Sequence, residues 1–173
     1  MTNELQNFNT ETGEIIELGD TVVSETNDYR VIKNQDGTFS KQMKFESYMS
    51  RQPESDEEKI ELYNVFNDSD SDLVTKLSSM VGSTIVIKHV FIQPYESFNE
   101  KDGSVTQGVV TTIEDDEGKY YATSSKSVYY SLKNIFQTFG VPSSDIYKPV
   151  KVEVTGTKQV NGLQINIKLV GLA

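Results

Sequence analysis

The residues that can do chemistry in this chain are aromatic rings set among cations. It holds nine Tyr and eight Phe but no Trp. Lys88 precedes Phe91 and Tyr95, Lys119 precedes Tyr120 and Tyr121, and Tyr129-Tyr130 lies between Lys126 and Lys133. Rings stack on bases and cations track phosphates, which is what a surface for single-stranded nucleic acid needs. The expected site stacks bases on Tyr63, Tyr95, Tyr120 and Tyr121. Lys88, Lys119 and Lys126 would contact phosphates, and Arg30, Lys33, Lys41, Lys44 and Arg51 would form an outer basic strip. About half of the rings must instead fill a core; Phe91, Phe136 and Phe139 are assigned there, and Tyr is the better surface candidate because its hydroxyl tolerates water.

Other chemistries lack their parts. His89 is the only histidine and lies among Ile85, Ile87 and Phe91, where a packed ring is expected and not a catalytic one. Asp68, Asp70 and Asp72 alternate as a calcium loop begins, but the position for glycine holds Leu73 and the twelfth holds Ser79. Glu114 to Glu117 form an acidic run before Gly118 with no partner base, so a turn is expected. With no Cys and no Gly-rich phosphate loop, nucleophilic, zinc and nucleotide chemistry are all unsupported. A binding protein without metal or cofactor is expected, and no enzyme.

A formal charge of −10 argues against nucleic acid until its distribution is read. Residues 1–28 carry seven acids and no base, and residues 54–73 carry eight acids and one base. Residues 29–53 carry five bases and two acids, and residues 74–173 carry ten bases and nine acids. The negative charge therefore sits in two blocks and leaves the later body near neutral, where a local basic groove remains possible.

The elements that must position these residues follow from periodicity. Residues 1–53 are read as an acidic, mobile extension, with a transient hairpin around Thr12-Gly13 and a basic hairpin over 29–45 turning at Asp36-Gly37. Residues 54–173 form the folded domain. Residues 60–66 are rich in β-formers and read as its first strand, with a short helix over 57–67 as the alternative. A brief helical turn over 73–80 closes at Gly82, and a strong strand over 84–93 follows. A loop ending at Asp102-Gly103 leads to a third strand over 105–113, which bends at Glu114–Gly118 and continues over 119–123. Val128, Leu132, Ile135, Phe136 and Phe139 share one helical face, with Ser124 or Ser125 to cap it and Gly140 and Pro142 to stop it. Val150, Val152 and Val154, then Leu163, Ile165, Ile167 and Leu169 across Asn161-Gly162, alternate as two half-buried strands. The order is that of a mainly β OB-fold: a five-stranded barrel with one helix between strands three and four.

The runs Gly108–Ile113, Glu117-Gly118, Tyr121 and Ser124–Val128 resemble the single-stranded-DNA-binding proteins of protein-primed tailed phages and of related phages and plasmids of Gram-positive bacteria. So do Glu61–Asn67 leading to Met80-Val81-Gly82, and Pro149–Val154 with Asn161-Gly162 and Leu163–Leu169. The resemblance spans about residues 57–171. It implies an OB-fold protein that coats and protects single strands during phage or plasmid replication or transfer, without base preference, in the cytoplasm of a bacterial host. The polar, acidic amino terminus, which has no signal-peptide pattern, agrees with that location. The family's smaller members lack an extension as long as residues 1–53. Familiar bacterial single-strand binders carry a C-terminal acidic tail, whereas here the acidic segment lies at the other end. Partners are expected to be single-stranded DNA, further copies of the chain through the extension, and replication proteins. The alternative reading is an OB-fold assembly module that touches no DNA, which the net charge favours and the Tyr–Lys interleaving disfavours. Salt is expected to weaken DNA binding steeply.

Overall fold

A computed structural model describes residues 7–8, 15–16, 21–26, 29–67, 72–98, 105–160 and 162–173. The chain divides into two compact units, Met1–Lys44 and Phe45–Ala173.

In the first unit β1 (Asn7–Phe8) pairs antiparallel with β2 (Ile15–Ile16). The Thr12-Gly13 turn lies outside the described residues. Three further strands, β3 (Thr21–Glu25), β4 (Tyr29–Lys33) and β5 (Phe39–Met43), form an antiparallel meander. The β4–β5 turn is built by Asp36, whose Oδ1 accepts the Thr38 amide at 2.8 Å, and by Gly37 at φ 83°. The third strand, β3, falls in a stretch whose composition suggests a mobile arm; main-chain pairing with β4 recruits it. No described residue of the meander is fully buried, and Val22, Val23 and Phe39 are exposed. A sheet of three strands with no core of its own is marginal in water.

The second unit begins with β6 (Tyr48–Met49) and α1 (Asp56–Asn67). The strand expected over 60–66 is therefore the helix. Local capping overrides the β-formers: Ser55 Oγ accepts the Glu58 amide at 3.2 Å, and the Glu58 carboxylate accepts the Glu54 amide at 2.7 Å. Asp56, Glu57 and Glu58 load the first turn with the charge that a helix N-terminus favours. The buried Leu62 and Val65 then fall on one face.

Next come β7 (Val74–Lys76), a 3-10 turn (Leu77–Met80), and the long hairpin of β8 (Thr84–Phe98) and β9 (Val105–Asp115). The single helical turn expected over 73–80 is thus split. Val74–Lys76 pairs parallel with β10 (Tyr120–Thr123), and Leu77 turns into the core with no exposure. β9 and β10 are not one bent strand, as expected, but antiparallel neighbours with Tyr121 opposite Ile113. Asp115 causes the reversal: its Oδ1 accepts the Glu117 and Lys119 amides at 2.9 and 2.8 Å, and Gly118 takes φ 80°. The expected Asp102-Gly103 turn lies outside the described residues, as do Asp68, Asp70 and Asn161.

The chain ends with α2 (Lys126–Phe139), β11 (Val150–Gln159) and β12 (Gly162–Leu172). Ser125 occupies the N-cap position, yet its hydroxyl donates to the Ile165 carbonyl at 2.5 Å and so ties the helix to β12. Gly140 closes the helix with its amide on the Phe136 carbonyl at 3.0 Å. Leu163 and Leu169, expected on the buried face, are 50% and 38% exposed because β12 runs past the core at both ends.

The second unit is mainly β: one curled sheet in the order β12-β11-β8-β9-β10-β7, with two α-helices among the described residues. β8 shares one edge between β11, along Thr84–Ile87, and β6, at Phe91 and Ile92. From Gln93 outward it pairs only with β9, so the hairpin leaves the curled sheet as a two-stranded ribbon. Inside the curl lie Leu77, Ile85, Ile87, Val90, Val109, Ile113, Val152 and Val154, closed at one end by Val128, Leu132 and Ile135 of α2.

Candidate nucleic-acid interface

Residues directly opposite on neighbouring strands share a face of the sheet. The register therefore sorts the outer face into rows: Lys76, Ala122, Thr112 and Phe91; then Val110 and Gln93; then Gly108 and Tyr95 on the ribbon. α1 covers part of this face, where Leu62 and Val65 cluster with Phe91 and Tyr120, and the Phe66 ring lies 5.3 Å from Phe91.

Beside the end of α1 the cover stops and a groove of about 690 Å³ opens. Val65, Phe66 and Asn67 form its α1 wall. Val74, Lys76, Val110, Thr112, Ala122 and Thr123 form its floor, and Ser124, Ser125 and Leu163–Ile165 close the far side. It lies where β10 and β12, which are not paired, face each other across the curl. Among the described residues no carboxylate lines it, and Lys76 is the one charged residue that does. Hydroxyls, the amides of Asn67 and Gln164, and aliphatic carbons can meet bases and sugars there without repelling phosphate.

One row along the same face, Tyr95 is 44% exposed and its ring extends over Gly108, which is buried. The expected residues divide around this geometry. Lys126 directly follows Ser125 of the groove wall and is exposed, with Nζ 5.5 Å from the Phe45 ring. Lys88 is exposed at the β8 irregularity, roughly 23 Å along the strand from Tyr95 at about 3.3 Å per residue. Lys119 sits at that same remote end and holds Glu117 at 2.5 Å. Tyr63 is 66% exposed on α1, not on a strand.

Tyr120 and Tyr121 are not surface rings: they are 5% and 6% exposed. Alternating faces explain both, because one packs under α1 and the other inside the curl, where its hydroxyl donates to Asp115 Oδ2 at 2.9 Å. Burial pushes both phenols up to about 12, helped by Glu114 for Tyr120 and by Asp115 for Tyr121. Neither ring offers a face for a base.

Arg51 is also turned inward. Its Nε donates to Glu114 Oε2 at 2.9 Å, its Nη2 donates to the Tyr120 hydroxyl at 3.1 Å, and Glu58 lies 3.7 Å away. His89 neighbours this cluster, with Nδ1 3.3 Å from Ser50 Oγ, and burial holds its pKa below the ordinary value. The rest of the basic strip divides over two faces of the first unit's meander. Lys33 and Lys41 lie on the face of Tyr29, with Lys41 Nζ 3.9 Å from that ring. Arg30, bonded to Gln42, and Lys44, paired with Glu25, lie on the other.

Sequence reasoning did not single out Lys76, because its stretch reads as a helical turn, nor Val110 and Thr112, which read as plain strand. Gly108 did carry a signal: an isolated glycine inside a strand marks a close approach.

Compared over its whole length, the chain is 33% identical across 174 aligned residues to the single-stranded DNA-binding protein of Bacillus phage GA-1, an alignment that takes in 99% of this chain and 97% of that protein. No family model and no solved structure matches it.

Proposed function

The chain belongs to the family of phage single-stranded DNA-binding proteins, and from that membership we propose that it coats and protects single-stranded DNA during phage or plasmid replication or transfer. The observation that carries the reading is the groove on the outer sheet face, which no carboxylate lines among the described residues, continued by the exposed Tyr95 ring. Every base has a π-face, so stacking tolerates any sequence, and the hydroxyl-lined floor imposes no single hydrogen-bond pattern. The role is binding, not catalysis. The sheet order β12-β11-β8-β9-β10, with α2 between the third and fourth of these strands in the chain, supports an OB barrel left open between β12 and β7, which flanks β10.

The cation count shapes the test. Among the described residues, Lys76 in the groove and Lys126 at its wall amount to two phosphate contacts. Each contact to a single strand lowers the slope of log affinity against log salt by about 0.7, so a slope near −1.4 is expected for labelled oligo-dT followed by fluorescence anisotropy. That is shallower than the many scattered lysines suggest. A slope steeper than about −3 would move the DNA to the basic residues of the first unit. Absence of binding at low salt would favour the assembly module instead.

Self-association belongs to the same proposal. Among the described residues the first unit has exposed Val22, Val23 and Phe39 and none that is fully buried, and β12 is an open sheet edge with Leu169, Val170 and Leu172 exposed. Residues 45–173 alone are expected to sediment as a smaller species than the full chain while still binding oligo-dT. Equal oligomeric states for the two would end this part of the proposal.

A further inference from the structure

Gly108 is not required by its backbone. The described glycines with positive φ are Gly37, Gly82, Gly118, Gly140 and Gly162; Gly108 lies in the middle of β9 in ordinary strand conformation. What glycine supplies there is space, and one side chain fills it. A Cβ at 108 would meet Tyr95 Cε1 at 2.6 Å and would lie closer still to Cζ and Oη. The far edge of the ring thus rests on the main chain of the opposite strand, directly across the register. Cover by the ring leaves Gly108 buried while Tyr95 itself remains 44% exposed.

We infer that Gly108 is a positioning residue for DNA binding: by leaving its backbone bare it seats the Tyr95 ring across the ribbon, one side on the main chain and the other open to a base. The inference rests on the reading of the outer face as the DNA path. Its physical content is preorganisation. A long side chain on an exposed ribbon samples several rotamers, and ordering it on binding costs affinity; a ring already seated avoids that cost. In the row below, half-buried Val110 lines the groove and stands opposite Gln93, so the seated ring adjoins the groove.

The test is a double-mutant cycle on the full chain, with oligo-dT affinity and thermal midpoint both measured. Gly108→Ala displaces the ring and is expected to weaken binding about 3- to 10-fold. Tyr95→Ala weakens it more. In the Tyr95→Ala background, Gly108→Ala should change affinity less than 2-fold, because the residue acts only through the ring. A loss of thermal midpoint in Gly108→Ala that Tyr95→Ala restores would equally support the contact. Wild-type affinity for Gly108→Ala beside a weakened Tyr95→Ala overturns the inference and leaves the DNA path standing. An equal loss from Gly108→Ala in both backgrounds also overturns it, since the glycine would then act without the ring. If wild type binds and neither variant weakens it, the DNA path itself is elsewhere. If wild type does not bind, the functional reading falls.

Discussion

Replacing Tyr95 by Ala is expected to weaken binding of oligo-dT by about 1–3 kcal/mol, or 5- to 150-fold, the range found when a base-stacking ring is removed. The ring is large, half-exposed, seated on its neighbouring strand and in line with a groove that no described carboxylate lines. Tyr95→Phe keeps the π-face and should stay within about 3-fold of wild type. Because the ring lies on a ribbon outside the core clusters, neither change should move the thermal midpoint by more than a degree or two. Wild-type affinity in a folded Tyr95→Ala protein would remove this ring from the interface. Tyr121 does not belong in the same experiment: it is buried, so its loss would be read as unfolding.

The second large effect concerns Arg51, which in the sequence is an exposed cation and in the fold is a brace. Its guanidinium is the ion partner of Glu114, whose side chain is only 7% exposed, and it also holds the Tyr120 hydroxyl. Removing one member of a buried pair leaves the other charge without compensation, which costs about 3–5 kcal/mol. Arg51 is itself 22% exposed, so water can reach part of the vacated space and the lower end applies. Arg51→Ala should therefore lose about 3 kcal/mol, roughly a 10 °C fall in thermal midpoint for a unit of this size. Below that midpoint its affinity for oligo-dT, and the salt slope, should match wild type. The reverse pattern, an unchanged midpoint with weakened affinity, would return Arg51 to the DNA. The brace also fixes where the chain can be divided. A cut at residue 52 would remove β6 and Arg51 from the sheet they support, whereas a cut before Phe45 spares both.

The α2 helix and the β11–β12 hairpin were legible because their apolar periods of 3.6 and 2 run unbroken for three turns and for five residues or more. The stretch at 60–66 was not, since Tyr63, Val65 and Phe66 favour strand, while the deciding signals, Ser55 and Glu58, lie upstream in an acidic run that reads as a linker. At 114–118 the acids suggested a turn; what they could not tell was whether the chain bends or reverses, which Asp115 decides through two amide bonds. For the site, sequence gives ring positions but not faces. Tyr95 and Tyr121 look alike beside their lysines, and only the register, which sets Tyr95 on Gly108 and Tyr121 on Ile113, separates surface from core. The groove is harder still, because it is assembled from α1, β7, β9, β10 and β12, whose meeting is a tertiary fact.

The divided edge of β8 has a consequence for how the chain comes to be folded. One part of that edge is covered by Tyr48-Met49, about 40 residues upstream, and another by Val150–Glu153, about 60 residues downstream. Closing loops of that length before that edge is paired places the curled sheet among slow, non-local folders, on the scale of milliseconds to seconds. A nascent chain emerging from the ribosome already carries Tyr48-Met49 for the Phe91-Ile92 part of that edge, but the Thr84–Ile87 part stays bare until β11 arrives, about 60 residues later. Crowded synthesis is then the moment at which neighbouring chains most readily pair in the wrong way, and strand β11 is the piece whose arrival ends the exposure.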